Sequence, residues 1–90
     1  MESKTTKQFR DCLSRLPLAM QKRADEAYAL FKADPRHPGL QFKKIHATLP
    51  IFSARISLDY RAVGTVKENT IVWFWIGTHA DYYKLINSLR

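Results

Sequence analysis

Cysteine is all but missing from this chain: Cys12 stands alone among 90 residues. That excludes an intramolecular disulfide framework and fits a reducing, cytoplasmic compartment. Glycine is scarce too, with three in all, and the sequence has no glycine-rich phosphate loop, nucleophile elbow or paired-carboxylate arrangement. Among the histidines, the cysteine and the few acids no spacing resembles a metal site, so neither metal nor cofactor is expected. The longest apolar run, Ile71–Ile76, is far shorter than the ~20 residues that cross a bilayer. Met1–Gln8 lacks the apolar core of a signal peptide, and no membrane partner is expected. Negative charge is thin as well: eight acidic side chains face fifteen Lys and Arg.

What the chain does have is core-forming material. Hydrophobic residues make up 46% and aromatic residues 12% of its 90 positions, which suits one compact domain over residues 1–90 and leaves no room for two lobes. A chain of this length buries about 60–65% of its unfolded surface, so a binding site should be a shallow face or groove. The net charge of +7 points to a polyanion such as nucleic acid, or to an acidic protein, without choosing between them. Residues 1–50 hold ten basic and five acidic side chains and residues 51–90 five and three, so positive charge leans toward the first half.

Phe9, Cys12, Leu13 and Leu16 recur at helical spacing behind Thr5 or Thr6 as N-cap, which predicts a short first helix. Pro17 suits the start of a second, in which Met20, Ala24, Ala27, Tyr28 and Phe31 share one face, so the two form a hairpin. Pro35, Pro38 and Gly39 then break any helix. From Leu40 the period becomes two: Phe42 and Lys44 point one way, Lys43 and Ile45 the other, in an edge strand. In 51–58, Phe52, Ala54, Ile56 and Leu58 form an apolar face meeting Met20, Ala24, Tyr28 and Phe31, opposite Ser53, Arg55 and Ser57. Tyr60–Lys67 is the next strand, Glu68 and Asn69 the turn, and Thr70–Ile76 an interior strand apolar on both faces. Thr78 and Asp81 spell a capping box, opening a last helix with Tyr82, Leu85, Ile86 and Leu89 as its packing stripe and Tyr83 off it. The expected fold is α+β: an N-terminal helical hairpin on a four-stranded, mainly antiparallel sheet, with a C-terminal helix.

Lys43, Lys44, Arg55 and Arg61 form a basic group drawn from neighbouring strands. A three-residue loop at 57–59 would set Arg55 directly opposite Arg61, an arrangement like charges avoid unless an anion joins them. A two-residue loop would send the two arginines to opposite faces. The bland alternative is a solvated sheet face with Arg61 paired to an acid. His79 falls in the first turn of the last helix, where the positive helix end favours a neutral ring able to accept a proton or sit beside a phosphate. A surface histidine near a cap is the competing reading. His37 and His46 are expected to be solvated. Trp73 and Trp75 are expected on one face of the interior strand; rings interleaved with cations serve single-stranded RNA recognition, but core packing explains these two as well. Tyr83 is the better candidate for a ligand contact.

Two helices, the strands, and the tracts DYRAVG, WFWIGTH and DYYKLI resemble the RelE/ParE superfamily of type II toxins from bacterial toxin–antitoxin modules. The likeness covers roughly residues 8–88, and HPGLQFKKI is similar to the stretch joining that family's hairpin to its sheet. On this resemblance, Arg61 takes the place of the strand arginine that contacts the scissile phosphate in ribosome-dependent RNA-cleaving members. His79 stands where they have a catalytic arginine, and Tyr83 where they have the terminal tyrosine. Arg55 falls, with one gap at the turn, where they can carry a lysine, and the lysine two positions earlier is Ser53 here. The resemblance implies a metal-independent endoribonuclease cutting mRNA on the ribosome, with Arg61, Arg55, His79 and Tyr83 at the catalytic site and Lys43 and Lys44 on the RNA backbone. It implies a cognate antitoxin as partner. Superfamily members also include gyrase inhibitors, so inhibition of DNA gyrase, or nucleic-acid binding without catalysis, stands as the alternative.

Overall fold

The computed structural model describes residues 1–89. Its first element is a strand, β1 (Glu2–Thr5), which pairs in parallel with the last strand, β5 (Thr70–Thr78). The expected four-stranded, mainly antiparallel sheet is therefore corrected to five strands of mixed direction, in the order β1-β5-β4-β3-β2. The remaining members are β2 (Lys43–Lys44), β3 (Ile51–Ser57) and β4 (Tyr60–Lys67), joined in antiparallel ladders. β1 escapes a reading by β propensity because it is an edge strand of polar residues, held by its ladder and by a few polar contacts. The Trp73 indole N–H donates to Ser3 Oγ at 3.0 Å, and the Tyr28 hydroxyl donates to the Ser3 carbonyl at 3.2 Å.

Thr6 caps the first helix, α1 (Lys7–Ser14), accepting from the Phe9 N–H. Pro17 precedes α2 (Leu18–Ala33). Both helices lie on one face of the sheet, where Phe9, Ala24 and Phe31 join Ala54, Ala62, Ile71, Trp73 and Ile76 in a single buried cluster. Phe31 meets Trp73 edge-to-face, ring centroids 5.3 Å apart, and Phe42 at 5.1 Å; each such buried ring contributes about 1.5–3 kcal/mol through burial. Phe52, Ala54 and Ile56 face the helices as expected. Leu58 does not, because the strand has already ended and the residue sits 72% exposed in the turn.

The last helix, α3 (His79–Ser88), covers the other face. Tyr82 packs there with Ile51 and Val63, flanked by Leu85, Ile86 and Leu89. Thr78 Oγ1 accepts from the Asp81 N–H at 3.2 Å, one half of the expected capping box. His46, expected to be solvated, instead ties a loop to this helix: its Nδ1 accepts from the Thr48 and Leu49 N–H groups, so Nε2 carries the proton donated to the Leu89 carbonyl at 2.8 Å.

The two tryptophans do not share a face. Val63 stands opposite Trp75 but Gly64 stands opposite Trp73, so Phe74 is an extra residue in β5. This β-bulge resets the alternation. Trp73 stays in the helical-hairpin core, while Phe74 and Trp75 both pack toward the α3 side.

Candidate nucleic-acid interface

The β3–β4 turn has two central residues, Leu58 and Asp59, closed by the pair Ser57 and Tyr60. An uninterrupted ladder from that turn would send Arg55 and Arg61 to opposite faces. A bulge between Arg55 and Ser57 absorbs one residue and sets Arg55 directly opposite Arg61. On its other side Arg61 stands opposite Gly77. Residues directly opposite in antiparallel strands share a face, so Arg55, Arg61 and Gly77 form one row across three strands. The row beside it holds Ser53 and Val63, and Val63 packs against Tyr82; both rows therefore lie on the α3 side.

Arg61 is oriented by its own turn. Its Nη1 donates to the Ser57 carbonyl at 3.1 Å and to the Tyr60 carbonyl at 3.3 Å, which leaves the rest of the guanidinium for another acceptor. Among the described residues, neither arginine has a carboxylate within 4 Å; the ion pairs are Lys7–Asp11 and Lys84–Asp81. The pairing of Arg61 with an acid is thus not what the structure contains. Two half-buried arginines directly opposite one another, with no carboxylate beside either among the described residues, make a locus of positive potential that suits an anion.

His79 follows Gly77 by two residues, at the start of α3. Its backbone N–H donates to the Asp59 carbonyl at 2.7 Å, clamping the helix start to the turn that orients Arg61. The imidazole lies 4.8 Å from the Tyr83 ring, tilted by 56°, and 6.0 Å from the Tyr82 ring, nearly parallel. Tyr82 is buried and its hydroxyl bonds Ser53 Oγ at 3.3 Å. Tyr83 is 56% exposed. The structure thus brings Arg55 and Arg61 to the end of the sheet from which α3 departs with His79 and Tyr83.

Of the two lysines, Lys43 stands opposite Ser53 and shares the face of Arg55 and Arg61. Lys44 stands opposite Phe52 and points to the hairpin side. Ser53 itself, where the resemblance expects a lysine, is 1% exposed beneath Tyr82; an ammonium there would be desolvated without a counter-charge. Sequence reasoning missed the parts played by Ser57, Tyr60 and Asp59, because they act through backbone carbonyls that leave no mark on residue type.

A family model described as a ParE-like toxin domain matches residues 18–84. The chain belongs to that family. It is a member of the RelE/ParE superfamily of toxins. Among solved structures, the RelB–RelE antitoxin–toxin complex of Methanococcus jannaschii matches with a TM-score of 0.74 at 19% identity, covering 91% of this chain and 96% of that one. The RelBE2 toxin–antitoxin complex of Mycobacterium tuberculosis matches with a TM-score of 0.70 at 21% identity over 87% of this chain and 96% of that one. YafQ of Escherichia coli matches with a TM-score of 0.68 at 12% identity, covering 91% and 97%. At these identities the likeness establishes a common fold. A search of curated proteins finds no sequence match.

Proposed function

We propose that this ParE-like toxin is a ribosome-dependent endoribonuclease that cleaves mRNA, held inactive by a cognate antitoxin. The observation that supports the reading most directly is the uncompensated Arg55–Arg61 pair, one strand from the Gly77–His79 segment. Gyrase inhibition requires no such convergence; a phosphodiester undergoing cleavage does.

RNA itself supplies the nucleophile. The ribose 2′-hydroxyl attacks the adjacent phosphorus, the bond to the 5′ oxygen breaks, and the products are a 2′,3′-cyclic phosphate and a 5′-hydroxyl. One proton leaves the 2′-hydroxyl and one reaches the 5′ oxygen, while negative charge builds on the pentavalent phosphate. Arg61 and Arg55 offset that charge, Arg61 with a guanidinium already oriented by the Ser57 and Tyr60 carbonyls. His79 accepts the 2′-hydroxyl proton and later loses it to solvent, while solvent water supplies the proton that the departing 5′ oxygen takes. Tyr83, exposed beside it, orients the RNA, and Lys43 holds the backbone. Lys44 faces away from this group and is left a peripheral role. The antitoxin partner is supported by the toxin family and by the charge of +7, which suits an acidic chain lying across the basic face.

Cell-free translation of a defined message, with cleavage mapped on and off the ribosome and plasmid supercoiling assayed in parallel, tests the reading. Cleavage in translated message, lost by ~10²–10³-fold in Arg61→Ala with antitoxin binding retained, is the expected result. Intact message with failing supercoiling would overturn it in favour of gyrase.

A further inference from the structure

The bulge at Phe74 turns Trp75 onto the α3 side of the sheet, where its ring lies across Gly77. A Cβ on Gly77 would stand 2.6 Å from Trp75 Cζ2 and 2.9 Å from Cη2, so only glycine leaves room for the ring in this position. Gly77 is the residue directly opposite Arg61, with Cα atoms of such pairs ~4.5–5.5 Å apart. One end of the indole therefore lies in the row of Arg55 and Arg61. The same indole also lines an open cleft against the polar face of α1, with Lys7, Gln8, Asp11, Cys12 and Arg15.

From this juxtaposition we infer that Trp75 and α1 form a nucleobase subsite for single-stranded RNA, next to the arginine pair. The inference rests on the reading of Arg55 and Arg61 as a phosphate site and names the neighbouring contact. A tryptophan serving only the core has its ring covered and its N–H bonded, as Trp73 does, 4% exposed with its N–H on Ser3. Trp75, by contrast, is only half-buried. The walls of the cleft suit a nucleotide. The Lys7 charge is balanced by Asp11 at 2.9 Å, while exposed Arg15 has no carboxylate within 4 Å among the described residues. A base stacks on the indole, the Gln8 amide is within the same cleft for its polar edge, and Arg15 meets the next phosphate. Stacking needs an unpaired base, which selects single-stranded RNA over duplex. The track then runs from Lys43 across Arg55 and Arg61 to Trp75 and on to Arg15.

The test uses the full chain and a fluorescein-labelled 12-nucleotide RNA of mixed sequence with 2′-O-methyl groups, which binds without being cleaved. Binding should quench intrinsic tryptophan emission in the parent and not in Trp75→Ala, since Trp73 is buried. Trp75→Ala should weaken binding about tenfold or more, Trp75→Phe much less, and the duplex of the same sequence should quench little. Because Trp75→Ala also removes packing over Gly77, Arg15→Glu provides a surface variant that should weaken binding and flatten its salt dependence. If Arg61→Ala loses affinity while Trp75→Ala and Arg15→Glu bind like the parent, the subsite is wrong and the arginine site stands. If the parent does not bind the RNA, the subsite falls, and message cleavage by Arg61→Ala in cell-free translation decides the arginine site separately. Equal quenching by duplex would also overturn the stacking assignment.

Discussion

Arg55 and Arg61 face one another directly across the β3–β4 ladder, and a one-residue bulge puts them there. Like charges set opposite in a sheet destabilise it by about 0.2–1 kcal/mol, and no acid within 4 Å relieves this pair among the described residues. The bulge thus maintains an arrangement that costs the fold, as the proposed phosphate site requires.

The pair therefore predicts opposite effects on stability and function. Arg55→Thr, which keeps a strand-favouring residue, should raise the unfolding free energy by about 0.2–1 kcal/mol in urea titration, and should lower message cleavage. A variant that is both less stable and fully active would contradict the assignment.

The facing of the two lysines makes a second prediction. Lys43→Ala should reduce the slope of log affinity against log salt by about 0.7 for single-stranded RNA. Lys44→Ala should leave that slope near the parent value, because its side chain points to the hairpin face. Fluorescence anisotropy across a salt series separates the two.

Tyr82 and Ser53 hold α3 to the sheet through a buried hydroxyl pair. Tyr82→Phe should cost about 1–3 kcal/mol by stranding the Ser53 hydroxyl. The double variant Tyr82→Phe with Ser53→Ala should cost less than the two single changes together. Strict additivity in thermal unfolding would show that the hydroxyls do not interact.

Two glycines should respond differently to a methyl group. At Gly64 a Cβ would lie 2.9 Å from the Val72 carbonyl oxygen and 3.0 Å from Ile71 Cγ1 and Trp73 Cε3. Since backbone cannot move aside cheaply, Gly64→Ala should destabilise by about 1–3 kcal/mol, lowering Tm by roughly 4–8 °C per kcal/mol. At Gly77 the obstacle is the Trp75 ring, which can swing out, so Gly77→Ala should cost less stability and shift tryptophan emission instead.

Much of this molecule is legible in one dimension. Helical spacing placed α1 and α2, the threonine pair Thr5–Thr6 and Pro17 marked their starts, and Glu68–Asn69 marked the β4–β5 turn, because such signals depend on near neighbours. Alternation assigned Phe52, Ala54 and Ile56 to the helical face. β1 stayed hidden, since a polar edge strand takes its place from a partner some seventy residues away.

The candidate site divides along the same line. Sequence alone determined that this small basic chain carries arginines on adjacent strands and a histidine at a helix start, and the tracts around them marked the toxin family. Only the tertiary structure decided which of those groups meet. A period-two strand reverses its faces when a single residue is inserted, and two bulges do that here: one brings Arg55 opposite Arg61, the other parts Trp75 from Trp73. A bulge is settled by pairing with neighbouring strands and by the packing on both faces of the sheet, and these exist only once the chain has folded.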